Sequence, residues 1–262
     1  MGLWEALLLG LVQGATEFLP VSSSGHLVLT EALLGIREGG LLVEVTLHTG
    51  TLLAVLVYFR HRLAWLVARG LTRGPEGPQA RRYVLWLLIG TLPAAAVGLL
   101  LEDSIAAVFE SPRAALWGLV ATGAILFTSR WARPRQTRPD GPAGLAMGLA
   151  QAVDILPGIS RSGSTIAVGL WAGTDRREAA EFSFLLSIPA IGGAAFLHLL
   201  DLFEGGAGAV APLAGGLVMG LVASFLSGLA AIALLLEVLR RRGLAPFAWY
   251  CWGVGIIGLL VV

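Results

Sequence analysis

Six stretches of apolar residues constrain this chain more than any other feature of its sequence. They occupy residues 41–59, 83–101, 113–131, 182–203, 209–236 and 246–262. Each is close to the ~20 residues that a helix needs to cross the hydrocarbon core of a bilayer. Charged residues make up only 13% of the chain, whereas a soluble domain averages about 25%. The sequence therefore predicts an all-α polytopic membrane protein with six spanning helices, and it argues against a soluble fold.

Two segments of the chain repeat one another at a constant offset of 138 residues. The first, GLVQGATEFLPVSSSGHLVL, occupies residues 10–29, and the second, GLAQAVDILPGISRSGSTIAVGL, occupies residues 148–170. The matched pairs include Gln13 with Gln151, Ser22 with Ser160, and Gly25 with Gly163. The repeat predicts one membrane domain made of two similar halves, residues 1–138 and residues 139–262.

Each repeat contains an apolar segment that is interrupted by proline, serine and glycine, at residues 20–25 and 157–163. Irregular backbone is tolerated at membrane depth only where it is buried in protein or lines a polar cavity, because each unpaired amide costs several kcal/mol. Both segments are therefore predicted to be re-entrant helix–loop–helix hairpins. Three spanning helices remain in each half, which is an odd number, so the second half is predicted to be inverted relative to the first.

The arginines predict how the chain is oriented in the membrane. Short cytoplasmic loops carry an excess of positive charge, and the predicted loops 60–82 and 130–142 contain six and four arginines. The predicted loops 102–112 and 204–211 contain acidic residues and no basic residue. Both termini and the first hairpin are therefore expected outside, with Arg37 as an exception. Arginines confined to short loops also argue against nucleic-acid binding, which favours a basic stripe.

Gln13 and Glu17 are the first candidate site residues, because polar groups at membrane depth are costly and are by default functional. Their i, i+4 spacing places them on one helix face, where they can share a proton, a water molecule or a cation. The structural alternatives are that Gln13 caps a neighbouring helix and that Glu17 forms an ion pair with Arg161. Function is favoured for Glu17, because a carboxylate next to a broken loop has no evident structural need for charge.

Ser23 and His26 form a second candidate pair. If the segment after Pro20 is helical, the imidazole lies one turn from the hydroxyl. A serine hydroxyl needs a base to become a nucleophile, and histidine titrates near neutral pH. Serines in membrane helices more often bond to the carbonyl four residues earlier, and this is the expectation for Ser22 and Ser24.

The second hairpin contains the sequence PGISRSGST, in which one helix is expected to end and another to begin. A helix N-terminus presents unpaired amide donors to an anion, and the fork of Arg161 suits two phosphate oxygens. Arg161 matches Ser23 at the repeat offset, so the two are expected to face each other; without an anion, Glu17 or Asp154 would have to neutralise the arginine. The other groups expected to bind the substrate are Gln13, Ser22, Ser160, Ser162, Gly163 and Thr165.

The remaining candidates concern metals and the pocket wall. His48 and Glu44 are expected to line the pocket or to brace the hairpin. The histidine and acidic residues have no zinc-binding spacing. Any metal is therefore expected to be Mg²⁺ or Ca²⁺, bound partly by substrate oxygens, with Glu17 as the protein ligand.

At these residues the chain resembles the undecaprenyl-diphosphate phosphatase family of the bacitracin-resistance type. The resemblance is carried by QGATEF with PVSSSGH, by PGISRSG and by EFSFLLSIP, and it covers essentially the whole chain. It implies dephosphorylation of undecaprenyl diphosphate to the monophosphate, dependence on a divalent cation, and an inverted-repeat fold. It also implies a bacterial cytoplasmic membrane location, a role in cell-wall synthesis and bacitracin resistance.

The family's functional residues can be placed on this chain one at a time. Its Glu/Gln-x-x-x-Glu motif falls on Gln13 and Glu17, its serine–histidine pair on Ser23 and His26, and its arginine motif on Arg161. The mechanism we expect is attack by Ser23 on the terminal phosphate, with His26 as general base and then acid. Glu17 would orient His26 or hold the cation, and Arg161 would stabilise the transferred charge. The rival mechanism has His26 itself as nucleophile, and the sequence leaves both open.

Two other classes of function compete with a phosphatase. Inverted repeats with broken helices also characterise secondary transporters, so a transporter or flippase for a lipid phosphate is the main alternative. A serine beside a histidine and a carboxylate favours the enzyme, because transport needs no nucleophile. A purely structural scaffold is disfavoured by the cost of burying Glu17, Asp154 and Arg161. The expected partners are a polyprenyl diphosphate, membrane lipids and, in a homodimer, a second copy of the chain.

Overall fold

The computed structural model describes residues 2–36, 40–101, 108–109, 111–133, 138–139, 141–205 and 214–261. Within this part of the chain every regular element is helical. The α-helices are α1 Leu3–Phe18, α2 Ser23–Leu34, α3 Gly40–Tyr58, α4 Arg60–Gly70, α5 Gly77–Leu100, α6 Pro112–Thr128, α7 Gly141–Val153, α8 Arg161–Trp171, α9 Arg176–Gly205, α10 Ala214–Arg242 and α11 Ala245–Val261. A short 3₁₀ helix, Ser129–Trp131, follows α6. The predicted all-α class is confirmed for the described residues.

Several of the helices have the length and composition of membrane spans. Among the described residues, three segments meet both requirements, namely Gly77–Leu100, Arg176–Leu197 and Gly215–Arg242. A fourth is added if the bent pair α3 and α4 is counted as one span, and α11 is apolar but shorter. Where they are described, all six predicted apolar stretches lie in helices, apart from the end residues 59 and 101. The chain therefore has the character of a multi-pass membrane protein, and the number six stays a prediction.

The segment 60–82 was expected to be a loop, and that prediction is wrong. Its first part forms α4, which bends by 68° from α3. Leu66 is buried and Arg62 reaches inward, with its Nε 2.6 Å from Oε1 of Glu181. Arginine stems can cover apolar surface while the guanidinium groups face polar partners. An arginine-rich amphipathic helix therefore has the composition of a loop but the packing of a helix.

The sequence repeat is visible in where helices begin. Two pairs of helix starts are separated by the same offset of 138 residues, namely Leu3 and Gly141, and Ser23 and Arg161, and a third pair, Gly77 and Ala214, is separated by 137. The packing partners correspond as well, because α1 packs along α10 while α7 packs along α5. The first helix of each repeated segment therefore packs against a long helix that belongs to the other half.

Glycines allow these helices to approach closely. A Cβ atom on Gly10 would collide with the carbonyl oxygen of Gly220, and one on Gly148 would collide with the backbone of Gly90. Small residues are used in this way in membranes, where close van der Waals packing replaces the hydrophobic effect between helices. The two contacts anchor the first helix of each hairpin.

The loop of the second hairpin is held from the side by α6. Gly158 adopts a φ of 85°, a conformation that costs glycine little. Thr122 Oγ1 donates to the Gly158 carbonyl at 2.8 Å and accepts from the amide of Ser160 at 2.9 Å. One buried threonine therefore satisfies two backbone groups of the loop and fixes the start of α8.

The first helix of the first hairpin, α1, ends at a buried aromatic contact. Phe18, the last residue of α1, is fully buried and packs edge to face on Phe184 of α9, with ring centroids 5.4 Å apart. Aromatic pairs of this geometry contribute about 0.5–1.5 kcal/mol beyond their buried area. The contact fixes the end of α1 and with it the direction in which Glu17 points.

Candidate functional site

Glu17 lies at the centre of a buried group of polar side chains. It is 7% exposed, in the last turn of α1. Ser23 Oγ donates to its Oε2 at 2.5 Å, and Gln13 Nε2 donates to the same oxygen at 3.0 Å. Arg161 Nη2 donates to Oε1 at 2.6 Å. We call these four residues, Gln13, Glu17, Ser23 and Arg161, the Glu17 cluster.

Local sequence explains how the cluster forms. Gln13 and Glu17 meet because residues four apart share a helix face, as the sequence predicted. Ser23 is the first residue of α2 and Arg161 the first residue of α8. Each therefore follows a break in the chain and projects from a helix N-terminus. The expectation that Ser23 and Arg161 face each other is confirmed, since each contacts one oxygen of the same carboxylate.

The Glu17–Arg161 ion pair is the contact that the sequence offered as a structural alternative to function. Arg161 has a side chain 12% exposed, and its second terminal nitrogen donates to the carbonyl of Ser183 at 3.3 Å. Removing one partner of a buried ion pair leaves an uncompensated charge and typically costs about 3–5 kcal/mol. Loss of either partner alone should therefore destabilise the site, and the intact pair keeps a forked cation beside Ser23.

Ser22 has the most unusual backbone in the site. Among the described residues it is the one non-glycine residue with a positive φ, at 68°. Its Oγ accepts from the amide of Gly25 at 3.3 Å and lies 3.2 Å from Oγ of Ser24. The prediction that Ser22 bonds to the carbonyl four residues earlier is wrong, because it caps α2 instead. A strained residue at the start of a helix is typical of functional sites.

His26 lies one turn after Ser23, as expected, but the two are not paired in the structure. Nδ1 of His26 is 2.8 Å from the carbonyl oxygen of Ser22, and Nε2 is 2.8 Å from the hydroxyl of Tyr250. Ser23 donates to Glu17 instead. The predicted contact between the hydroxyl and the imidazole is therefore replaced by a contact between the hydroxyl and the carboxylate, because α2 turns the two side chains away from each other.

Tyr250 is a site residue that sequence reasoning missed. It is 224 positions from His26 and lies in an apolar helix far from both repeated segments. The only signal was a hydroxyl-bearing aromatic residue within an otherwise apolar run. Such residues are common at membrane interfaces for reasons unrelated to a site, so that signal points to no particular partner.

His48 joins the site from α3. Its Nε2 is 3.9 Å from Oε2 of Glu17, and its Nδ1 is 2.9 Å from the carbonyl oxygen of Glu44. His48 therefore lies beside the Glu17 carboxylate, and whether it lines a pocket or braces the hairpin stays a prediction. Glu44 takes part through its backbone, because its carbonyl orients the ring.

The predicted substrate-binding residues of the second hairpin are largely occupied by protein contacts. Ser160 Oγ accepts from the amide of Gly163 at 3.1 Å and caps α8. Ser162 Oγ donates to the carbonyl of Leu19 at 3.1 Å, which ties the second hairpin to the loop of the first. Thr165 lies one turn after Arg161, and its Oγ1 is 2.6 Å from Oγ of Ser183.

These contacts show that Ser160, Ser162 and Thr165 bond to protein groups around Arg161 and help to hold that part of the hairpin in place. All three are buried. Thr165 donates to the carbonyl of Arg161 at 2.7 Å, and Ser183 accepts from the same arginine through its own carbonyl. The arginine is therefore held from two sides. Whether any of the three hydroxyls also contacts a substrate stays a prediction.

The second hairpin also contains buried polar atoms with no hydrogen-bond partner among the described residues. They are both side-chain heteroatoms of Gln151, Oδ2 of Asp154 and Oγ of Ser164. In the first hairpin only Oε1 of Gln13 is in this state. A buried polar group without a partner costs about 1–3 kcal/mol. Of the two carboxylates expected to neutralise Arg161, Glu17 is the one that contacts the arginine.

A protein-bound metal does not fit the described residues on their own. Within the described part of the chain, no three histidine, cysteine, aspartate or glutamate side chains are close enough to hold a metal ion. The oxygens of Glu17 already accept from three donors. A hard cation such as Mg²⁺ prefers six oxygen ligands, so any such ion here would need most of them from elsewhere.

Comparison with known proteins places this chain in a family. The family model described as "Bacitracin resistance protein BacA" matches residues 6–257. A protein named undecaprenyl-diphosphatase from Syntrophotalea carbinolica is 45% identical over 260 residues, covering 97% of this chain and 97% of that protein. Two others of the same name are each 42% identical. One, from Korarchaeum cryptofilum, covers 98% of each chain, and the other, from Geobacter sulfurreducens, covers 95% of this chain and 94% of its own.

Proposed function

The chain belongs to the bacitracin resistance protein BacA family, and on that basis we propose that it removes the terminal phosphate of undecaprenyl diphosphate, with the Glu17 cluster as its active centre. The product is undecaprenyl phosphate, the carrier lipid of cell-wall synthesis, and its regeneration confers bacitracin resistance. The transporter alternative is not favoured, because the relatives named above are phosphatases by name.

One observation carries the proposal from this chain's own geometry. A buried carboxylate holds a serine hydroxyl on one oxygen, at 2.5 Å, and a guanidinium on the other, at 2.6 Å. A nucleophile and an anion clamp are therefore each one hydrogen bond away from a carboxylate that can accept the proton of the nucleophile. Transport of a lipid phosphate would need the clamp but not the hydroxyl.

We assign the first chemical step to Ser23 and Glu17. Ser23 Oγ attacks the terminal phosphorus while its proton passes to Glu17, to which it already donates. The bond from that phosphorus to the bridging oxygen breaks, and the bridging oxygen leaves with undecaprenyl phosphate. Ser23 is left as a phosphoserine. General-base removal of the proton contributes typically about 10²–10⁴-fold to such a step.

The second step returns the enzyme to its starting state. A water molecule gives a proton to a base and attacks the phosphorus of the phosphoserine, and the bond to Ser23 Oγ breaks. Glu17 returns its proton to the serine oxygen, inorganic phosphate leaves, and the base releases its proton to solvent. His26, one turn from Ser23, is the candidate base for this water. The rival in which His26 is the nucleophile gives an acid-labile phosphohistidine, whereas a phosphoserine survives acid and is cleaved by alkali, so quenching in acid separates them.

Arg161 is proposed to stabilise the charge on the transferred phosphoryl group. Its planar fork can donate two parallel hydrogen bonds to phosphate oxygens. One edge contacts Glu17 in the structure, so a phosphate that engages this edge would separate the pair and free the carboxylate to accept the serine proton. Separating Arg161 from Glu17 costs free energy. That cost would be offset because the arginine then contacts a doubly charged phosphate in place of a singly charged carboxylate.

We propose that a divalent cation binds at the site only together with the substrate. Glu17 would contribute one ligand and the diphosphate oxygens the others, as is usual for Mg²⁺ at phosphate sites. Bound there, a cation would neutralise charge on the diphosphate. Chelation should then lower turnover in the parent protein, and Mg²⁺ or Ca²⁺ should restore it.

We further propose that the two halves, residues 1–138 and 139–262, form an inverted repeat with two re-entrant hairpins. The recurring helix starts and the exchanged packing partners, α1 on α10 and α7 on α5, support this arrangement. The site would open to the outer face of the bacterial cytoplasmic membrane. Cysteines at Arg73 and Asp103 should then react from opposite sides, against a low background because the single native Cys251 is fully buried. A homodimer is proposed as the assembly.

The decisive experiment measures phosphate release from a polyprenyl diphosphate by the purified, reconstituted protein. Parent protein should release phosphate, and Glu17→Gln should be slower by at least a hundredfold. Glu31→Gln is the matched control, because Glu31 lies in the same hairpin outside the cluster and should keep parental activity. Equal rates for parent and Glu17→Gln would refute the proposed centre, and absence of hydrolysis by the parent would refute the proposed function.

A further inference from the structure

Tyr250 lies outside both repeated segments, yet it contacts the proposed active centre. It is in α11 and is 47% exposed. Its hydroxyl oxygen is 2.8 Å from Nε2 of His26. The two rings are nearly parallel, at 9°, with centroids 5.6 Å apart. The contact therefore has both a hydrogen bond and a preferred ring orientation.

The next residue anchors the same part of α11 to the hairpin loop. The thiol of Cys251 is fully buried, and its sulfur lies 3.6 Å from the carbonyl oxygen of Pro20, to which it donates. Both α2 and α11 also pack on α6. Tyr250 is thus held near His26 by a backbone contact of its neighbour and by a shared supporting helix, so its position does not depend on its own hydroxyl alone.

The contacts of His26 fix which ring nitrogen bears the proton. The carbonyl oxygen of Ser22 can only accept a hydrogen bond, so Nδ1 at 2.8 Å must carry the proton. In the neutral ring Nε2 then has a lone pair and can only accept. The hydroxyl of Tyr250 is therefore the donor of the second hydrogen bond. The Ser22 carbonyl therefore sets the tautomer, and the Tyr250 hydroxyl, as the second partner, restricts the ring plane.

We propose that Tyr250 is a positioning residue for His26: its hydroxyl bonds to the Nε2 lone pair and sets the ring plane in the resting enzyme, and the attacking water takes its place on Nε2 when the phosphoserine is hydrolysed. This inference deepens the proposed function and rests on it, since the effect on turnover acts through His26. The strained backbone of Ser22, with its φ of 68°, supplies the other fixed point by placing the carbonyl that accepts from Nδ1.

The competing explanation is that Tyr250 is an interfacial aromatic residue whose hydroxyl serves only to anchor α11. Tyrosine is enriched at membrane interfaces for this reason. Such a residue would affect folding or insertion when it is changed, and it would do so whether or not His26 is present. The two explanations therefore differ in whether the effect of the hydroxyl depends on His26.

The contact itself is tested by ¹⁵N NMR of histidine-labelled protein in lipid nanodiscs. The His26 signals are assigned by their loss in His26→Gln. The parent should show a protonated Nδ1 and an unprotonated, hydrogen-bonded Nε2. Tyr250→Phe keeps the ring but removes the donor, so the Nε2 signal should move downfield, whereas Tyr58→Phe should leave it unchanged. A parent with its proton on Nε2, or no shift in Tyr250→Phe, would overturn the proposal.

The role is tested by kinetics on a polyprenyl diphosphate. Loss of one positioning hydrogen bond should lower kcat by about tenfold, with little change in KM. In a His26→Gln background the same change should have no further effect on the residual rate, because residues that act as a unit are non-additive. Tyr58→Phe is again the control and should retain the parental rate.

The outcomes separate this proposal from the one on which it rests. If the parent protein releases phosphate and Tyr250→Phe turns over equally fast, only the role of Tyr250 is refuted. An equal loss from Tyr250→Phe in the parent and in His26→Gln would assign the tyrosine to the structural anchor. A parent that releases no phosphate would refute the proposed function, while the NMR result would still decide whether the contact exists.

Discussion

The two hairpins share one sequence pattern and one helix geometry but differ in how their polar groups are satisfied. In both, a serine caps the second helix, and the helix starts Ser23 and Arg161 are 138 positions apart. In the first hairpin the carboxylate, Glu17, accepts from three donors. In the second the carboxylate, Asp154, has a buried oxygen with no partner among the described residues.

Backbone strain is also distributed differently between the two hairpins. The first hairpin has a positive φ at Ser22, where a side chain makes it costly, and the second has it at Gly158, where it costs little. Ser160, the counterpart of Ser22, has a relaxed φ of −80°. The first hairpin therefore has its strained residue next to the proposed nucleophile, while the second has a glycine at the positive φ before Arg161.

The largest expected effect lies in the first hairpin. Ser23→Ala removes the hydroxyl that donates to Glu17 and should lower turnover by about a thousandfold or more, because the covalent route is lost. Ser24→Ala is the matched control one position later and should lose far less. Phosphate release by the reconstituted variants measures both. Comparable losses at the two positions would remove the case for Ser23.

The next effect lies in the second hairpin. Arg161→Lys keeps the charge beside Glu17 but loses the fork, so turnover should fall by about a hundredfold with the fold intact, and Arg161→Ala should be worse. A contact made in the transition state lowers kcat as well as kcat/KM, so the defect should persist at saturating substrate. If Arg161→Lys turned over at the parental rate, Arg161 would be only the structural counter-ion of Glu17.

The paired glutamines give a smaller contrast. Gln13→Met should lower activity several-fold, because Glu17 loses a donor at 3.0 Å. Gln151→Met, at the matching position, removes two buried polar atoms that lack partners and should leave stability unchanged or raise it by about 1 kcal/mol. Thermal unfolding in detergent and phosphate release measure the two effects. Destabilisation by Gln151→Met would indicate that Gln151 has a polar partner after all.

The smallest expected effect compares the two capping serines. Ser22→Gly loses a cap but relieves the positive φ, so its stability should stay within about 0.5 kcal/mol of the parent. Ser160→Gly loses a cap with no strain to relieve and adds backbone freedom, so it should be destabilised by about 0.5–1 kcal/mol. The midpoint of thermal unfolding gives the order. The reverse order would show that the strain at Ser22 is not what distinguishes the two loops.

Much of the fold and part of the site could be predicted because their signals are local. Apolar runs give helices, the break before Ser23 gives a helix start, and the i, i+4 spacing brings Gln13 to Glu17. The amphipathic helix α4 was mistaken for a loop because its arginines resemble loop composition. The apolar face of α4 can be recognised only when the buried residues against which it packs are known.

The partners of the site residues were the least predictable feature. A serine followed three positions later by a histidine suggests a pair, but the orientation of α2 directs Ser23 to Glu17 and His26 to Tyr250. Ser162 likewise bonds to Leu19, 143 positions away. Contacts of this kind depend on how whole helices are rotated against one another, and no short-range spacing encodes that rotation.

The sequence by itself indicated that the chain lies in a membrane, where its helices are and that it contains a repeat. Burial of apolar runs and pairing of backbone amides leave few alternatives in a bilayer. It also indicated the candidate site residues, since charge at membrane depth is costly and is by default functional. Only the tertiary structure decided that one carboxylate joins the serine to the arginine and that a tyrosine of α11 holds the histidine. Those contacts join segments far apart in the chain, and packing alone sets their distances.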